Sequence, residues 1–256
     1  MQGLFDLSGQ VAVVTGGSRG IGAMIARGFV EAGVKTYITA RKEEELRVTA
    51  DVLSEVGECI AISSNLADVE GTRAFASAIG ERESKLDILV NNAGASWGAS
   101  LDEIPESGWD IVMDLNTKSL FFLTQALLPQ LRASASQDDP SRVINIGSIN
   151  GISYAPLSNY SYCASKAAVH HMTRQLAVDL ANDKINVNAI APGFFPSKMT
   201  AHLLDHEEEM AKMIPRQRIG TPEDAAGTAI SLCSRAAAFV TGHVLVLDGG
   251  QDVANR

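Results

Sequence analysis

Tyr162-Cys163-Ala164-Ser165-Lys166 sets a phenol and an ammonium four residues apart in a helix-favouring stretch. On a helix the two side chains share one face, one turn apart. A free tyrosine titrates near ~10, and an ammonium about 5 Å away at an effective dielectric of about 20 favours the phenolate by roughly 3 kcal/mol, or about two pK units. The spacing therefore predicts a phenol able to give or take a proton near neutrality. Many surface helices carry the same pair without chemistry, so its meaning depends on what the rest of the chain places around it.

Val11-Ala12-Val13-Val14-Thr15 is an apolar, β-branched run of the kind that fills a buried parallel strand. It leads into Gly16-Gly17-Ser18-Arg19-Gly20-Ile21-Gly22, and residues 23–30 read as a helix with one apolar face. The glycines thus sit at a strand-to-helix turn, where backbone N–H groups and the positive helix end approach a pyrophosphate. Tight turns also use Gly for conformational reasons alone. No Gly-Lys-Ser/Thr closes the run, which excludes a Walker-type phosphate loop.

The second strand, residues 35–40, ends in Ala40-Arg41, where a dinucleotide fold for NAD carries an acid for the ribose 2′-hydroxyl. The next acid is Glu43, in the first turn of the following helix. Arg19 and Arg41 could bracket a 2′-phosphate dianion, so the pattern reads as NADP(H) rather than NAD(H). As plain surface residues, both arginines would simply be solvated.

Strands and helices go on alternating. A strand at 59–63 and a helix at 68–83 precede a strand at 86–90, which runs into Asn91-Asn92-Ala93-Gly94. A long helix over 108–131 contains Asn116, an exposed polar loop covers 133–140, and a strand at 142–146 delivers Gly147-Ser148. After the Tyr162/Lys166 helix, a strand at 185–190 precedes Pro192-Gly193. This alternation predicts an α/β fold: a single doubly wound, Rossmann-type parallel sheet with helices on both faces. Ligands in that architecture collect at the carboxyl ends of strands, where Gly16, Asn91, Ser148 and Pro192-Gly193 all fall. With no repeat or composition shift, one domain spanning 1–256 is expected.

The 256 residues are ample for a sizeable core, and every apolar run is broken well short of a membrane span. The start, Met1-Gln2-Gly3-Leu4-Phe5-Asp6, lacks a basic region followed by a long apolar stretch, so a cytoplasmic protein without membrane attachment is expected. A net charge of −9 argues against nucleic acid as a partner. Cys59, Cys163 and Cys233 are odd in number and scattered, suggesting neither disulfides nor zinc. Cys163 reads as a small packed helix residue, and His170 and His171 as structural, not metal ligands.

Thr15 through Gly22, Asn91-Asn92-Ala93-Gly94, Ser148, Tyr162-x-x-x-Lys166 and Pro192-Gly193 stand in an order and spacing that resembles the short-chain dehydrogenase/reductases. The resemblance runs on to Gly242 and Leu247-Asp248-Gly249-Gly250, covering essentially the whole chain. Ala95-Ser96-Trp97-Gly98, the polar loop before residues 142–148, and Ala191-Pro192-Gly193-Phe194-Phe195-Pro196-Ser197 are most similar to the 3-oxoacyl-(acyl-carrier-protein) reductase branch, and within it to the rhamnolipid-biosynthesis β-ketoacyl reductases.

The resemblance implies a catalytic tetrad of Asn116, Ser148, Tyr162 and Lys166. Tyr162 would supply the proton, Ser148 a hydrogen bond to the same oxygen, Lys166 a lowered phenol pKa and a hold on the nicotinamide ribose, and Asn116 a water leading to Lys166. Tyr160 is a rival phenol, but four residues after it stands Ala164 instead of Lys. The implied cofactor-binding set is Gly16, Ser18, Arg19, Gly20, Ile21, Gly22, Arg41, Asn65, Leu66, Asn92, Ala93, Gly94, Tyr162, Lys166, Pro192, Gly193 and Ser197. Asn65 replaces the Asp that relatives place against adenine, and Ser197 follows Pro196 where many relatives carry Thr. Residues 198–215 correspond to a substrate lid, in which Met199, Leu203, Leu204, Met210 and Met213 would line an acyl pocket or pack against the body.

The function so implied is NADPH-dependent reduction of a 3-oxoacyl thioester, carried by an acyl carrier protein or coenzyme A. Lys212, Arg216 and Arg218 are the candidates for an acidic carrier. A different carbonyl or alcohol substrate, or a non-catalytic dinucleotide sensor, are the alternatives, and the intact Ser148/Tyr162/Lys166 set counts against the sensor. The last strand, 243–247, resembles the family's subunit-contact edge and implies a homodimer or homotetramer.

Overall fold

The apolar runs become seven strands of one parallel sheet: β1 (Val11–Thr15), β2 (Lys35–Thr39), β3 (Cys59–Ala61), β4 (Ile88–Asn91), β5 (Ser141–Ile146), β6 (Ile185–Pro192) and β7 (Val244–Leu247). Their spatial order is β3-β2-β1-β4-β5-β6-β7, every neighbouring pair parallel. The order reverses at β1, so the crossovers before and after it diverge and leave a crevice at the carboxyl ends of β1 and β4. The computed structural model describes residues 3–154, 157–197, 200 and 207–254.

Side-chain alternation along each strand feeds two cores, one per face. Ala12 and Val14 join Ile25 and Phe29 of α1 (Gly20–Glu31), Leu46 and Leu53 of α2 (Glu43–Leu53), and Ala229 and Leu232 of α8 (Pro222–Cys233). Val13 points the other way, into Phe75 and Ile79 of α3 (Val69–Gly80), Leu123 and Leu127 of α5 (Ser119–Ser134), and Val169 and Leu176 of α6 (Tyr160–Leu180). The helices therefore lie on both faces, as the alternation of elements predicts. Among the described residues, the remaining α-helices are α4 (Glu106–Met113), the short α7 (Glu207–Lys212) and α9 (Gln251–Ala254).

The expected continuous helix over 108–131 is interrupted. A π-turn at Asp114–Lys118 separates α4 from α5 and carries the buried Asn116 inward. Such a turn inserts one residue into the helical register and recurs at functional sites.

A buried polar chain braces the elements behind the crevice. Asn91 donates from Nδ2 to Thr124 (3.1 Å) and to Asn145 (3.0 Å), and Asn145 donates to Thr173 (2.9 Å), linking β4, β5, α5 and α6. With every link made, this chain fixes the strand ends relative to the two helices.

Candidate active site

Thr15 ties the ends of β1 and β4 together. Its hydroxyl accepts from the N–H groups of Asn92 and Ala93, both at 2.9 Å, while Asn92 donates from Nδ2 back to the Thr15 carbonyl at 2.8 Å. The loop after β1 crosses this junction so tightly that a Cβ on Gly22 would lie 2.4 Å from both Asn92 Nδ2 and the Gly16 carbonyl oxygen. Gly16 and Gly20 have φ of +64° and +56°, in the left-handed region that glycine adopts without penalty. Helix α1 then starts at Gly20 with no side-chain cap and no acid in its first turn, leaving its N-terminal N–H groups facing the crevice.

The crevice has a volume of about 490 Å³ and runs from Arg19, Arg41 and Lys42 at one end to Ser148, Tyr162 and Lys166 at the other. Of the residues assigned to cofactor from sequence, Gly16, Ser18, Arg19, Gly20, Ile21, Arg41, Leu66, Asn92, Ala93, Gly94, Tyr162, Lys166, Pro192, Gly193 and Ser197 line it. Gly22 lies behind it as a packing position, and Asn65 does not line it. The Asn65 amide turns to Asp68 (3.0 Å), where it braces the N-terminus of α3, and the neighbours Ser64 and Leu66 face the crevice instead.

At the phosphate end, Arg19 is paired with Glu45 at 3.0 Å, and Lys42 reaches the other oxygen of the same carboxylate at 2.5 Å. Arg41 makes no ion pair among the described residues. Lys42 and Glu45 escape a motif-based reading because they sit at the N-cap and in the acidic first turn of α2, whose composition looks like ordinary helix solvation.

At the other end, Ser148 follows β5 and caps a 3-10 turn, its Oγ accepting from Asn150 N–H at 3.1 Å. The same hydroxyl lies beside the Tyr162 phenol, where it favours the ionised form. Lys166 lies one helical turn on, with Nζ 5.5 Å from the Tyr162 ring centroid and donating to the Ile146 carbonyl at 2.7 Å. Asn116 is held on three sides: Oδ1 accepts from Ala95 N–H (2.8 Å), and Nδ2 donates to Ala95 carbonyl (3.0 Å) and Ser165 Oγ (2.9 Å). The four residues read as a tetrad therefore meet around the ends of β4 and β5.

The electrostatics correct one expectation. Tyr162 is raised, not lowered, because desolvation outweighs the lowering effect of Ser148, and Cys163 adds a small raising effect. Burial also depresses Lys166 from 10.5 to about 8. The ammonium thus loses its proton before the phenol titrates, and cannot stabilise the phenolate in the ligand-free protein. Distance alone suggested the reverse, since spacing in sequence carries no information on burial.

Ser197 is locked in a turn with Thr200, the Ser197 N–H donating to Thr200 Oγ1 at 2.9 Å. Met210 packs on Phe194, Ile214 and Ile219, and Met213 is exposed, so neither is placed in the crevice. Met199, Leu203 and Leu204 lie outside the described residues. Among the three cations considered for an acidic carrier, Arg218 is engaged by both oxygens of Asp224, at 2.5 and 2.9 Å.

A protein-family model described as enoyl-(acyl carrier protein) reductase matches residues 16–252. The chain belongs to the short-chain dehydrogenase/reductase family. Within this short-chain family it is 51% identical over 253 residues to the rhamnolipids biosynthesis 3-oxoacyl-(acyl-carrier-protein) reductase of Pseudomonas aeruginosa, covering 98% of this chain and 99% of the relative. It is also 38% identical over 253 residues to 2-dehydro-3-deoxy-D-gluconate 5-dehydrogenase of Dickeya dadantii, covering 96% of each. The solved Pseudomonas aeruginosa RhlG/NADP active-site complex superimposes with a TM-score of 0.95 at 50% identity, covering 98% of this chain and 100% of that one.

Proposed function

We propose that this protein reduces a 3-oxoacyl thioester to the 3-hydroxyacyl thioester with NADPH, through Ser148, Tyr162, Lys166 and Asn116. The observation that carries the reading is the Ser148–Tyr162 hydroxyl pair, set in one crevice with the cations Arg19, Arg41 and Lys42 at the far end. Two hydroxyl donors side by side suit an oxygen that gains charge, as a ketone oxygen does during reduction. The name of the 51%-identical relative supports a 3-oxoacyl substrate.

The residues fit a phosphorylated dinucleotide: an uncapped helix N-terminus opens onto the crevice, and three cations gather where a 2′-phosphate would lie. The nicotinamide supplies the hydride when bound. Tyr162, kept protonated by burial, donates its phenolic proton to the substrate oxygen, and Ser148 donates a second hydrogen bond there. Lys166 contributes positive charge beside the phenol below about pH 8. Asn116 fastens the loop at Ala95 to the Tyr162 helix through Ser165.

We assign the chain to one domain over 1–256, in the cytoplasm; the lid expected over 198–215 lies partly outside the described residues. An acyl carrier protein is the proposed carrier, met by Lys212 and Arg216. A homodimer or homotetramer is supported by β7, an edge strand whose Val246 is exposed, and by the fully exposed Phe239. Among the described residues, no helix is long and apolar enough to cross a membrane.

Oxidation of a polyhydroxy acid is the second reading, favoured by the gluconate-dehydrogenase relative. The deciding experiment measures NADPH oxidation with acetoacetyl and longer 3-oxoacyl thioesters, an enoyl thioester and keto-gluconates. Turnover of the 3-oxoacyl thioesters is expected. Turnover confined to the sugar acids or to the enoyl thioester rejects the proposed substrate.

A further inference from the structure

We propose that His170 is a positioning residue for Ser148, its neutral imidazole setting the backbone turn that aims the serine hydroxyl. The inference rests on the reading of Ser148 as a donor to the substrate oxygen.

His170 follows Lys166 by one turn of α6, and both side chains are buried against the end of β5. Lys166 holds that end through the Ile146 carbonyl. Two residues later the Ser148 N–H donates to His170 Nε2 at 3.4 Å. A backbone N–H can only donate, so the lone pair belongs on Nε2 and the ring proton on Nδ1.

Gly147 supplies a further observation. A Cβ at that position would lie 2.1 Å from His170 Nε2 and 2.6 Å from Cδ2. The backbone therefore runs against the ring edge at the residue that precedes Ser148, and a single ring meets positions 147 and 148. The turn so held presents Ser148 Oγ to Tyr162. Lys166 on the same helix face and Arg174 one turn on are the cations nearest the ring, and burial together with them holds it down at about 4. The acceptor at Nε2 is thus retained throughout the neutral range.

Nitrogen-15 spectra of the ligand-free wild-type protein near neutral pH test the tautomer, with Nδ1 protonated and Nε2 bare as the expected result. A proton on Nε2 would overturn the proposal. In initial-rate assays, His170→Leu is expected to lower kcat about tenfold at unchanged NADPH affinity, a loss of the size that misplacing a reacting group produces. His170→Gln, which keeps an acceptor, should restore most of it. In a double-mutant cycle, His170→Leu should cost nothing further once Ser148→Ala is present. Additive losses, or equal kcat losses in the Leu and Gln variants, would rule out a role through Ser148. Full turnover by Ser148→Ala would reject the functional reading itself, an outcome distinct from additivity. Should His170→Leu fail to fold, the Gln variant and the spectra still decide.

Discussion

Lys166 donates from Nζ to the carbonyl of Ile146 at 2.7 Å, and no carboxylate among the described residues balances its charge. One neutral carbonyl solvates a buried ammonium poorly, which is why its proton is held only to about 8. Between that value and the ordinary 10.5 the unfolded chain binds the proton and the folded one does not. Stability therefore rises with pH across this window, by roughly 3 kcal/mol from this group. The buried thiols of Cys59 and Cys233, raised to about 11 and about 12 by desolvation, act in the opposite direction above about 9. The wild-type protein minus Lys166→Met isolates the lysine. Denaturant midpoints taken at intervals from pH 7 to 10 should show that difference shifting in favour of wild type, and a flat difference would mean Lys166 keeps its charge.

Tyr162→Phe removes the proton donor and leaves the ring in place. We expect kcat to fall by about 10³-fold with NADPH binding nearly unchanged, the usual range for a lost general acid. Fluorescence titration and initial rates on the same preparation separate the two, and near-normal turnover would dismiss Tyr162 as the donor.

The Arg19–Glu45–Lys42 cluster makes cofactor choice adjustable. Arg41→Ala should weaken NADPH at least tenfold while barely altering NADH, because only the phosphate needs the guanidinium. Glu45→Gln should tighten NADPH about two- to fivefold, a modest gain because these pairs are largely solvated. Calorimetric titration with both dinucleotides is the check, and equal changes for the two would exclude a 2′-phosphate site here.

Gly22→Ala would place a methyl 2.4 Å from the Gly16 carbonyl oxygen, a backbone atom that cannot swing aside. A loss of about 1–3 kcal/mol is expected from such overpacking, lowering the thermal midpoint by several degrees. An unchanged midpoint would show that the loop after β1 relaxes freely.

The strands were legible because β-branched runs such as Val11–Thr15 bury both faces, and such runs have few other uses. The motif residues could be placed from sequence, since Ser148 follows the end of β5 while Tyr162 and Lys166 lie one turn apart on α6. Asn65 misled, because a position fixed by register says nothing about a competing neighbour such as Asp68. Glu45, Lys42 and the environment of His170 were invisible for a similar reason: each depends on residues that only tertiary packing brings together. The phenol's raised pKa belongs here too, as a lysine one helical turn away was anticipated and the dryness of the site was not.

The π-turn at Asp114–Lys118 has a consequence for how this enzyme can change. Removing one residue from the turn would let the stretch revert to a regular α-helix, so α4 and α5 could keep their faces while the widened turn that carries Asn116 inward was lost. Asn116 would then leave Ala95, while Leu120, Leu123, Leu127 and Leu131 could stay in the core. No single substitution replaces such a turn. Length between Trp109 and Leu120 is therefore tied to the placement of Asn116, and a descendant that lost a residue there could stay folded while losing the amide that fastens the loop at Ala95 to the Tyr162 helix.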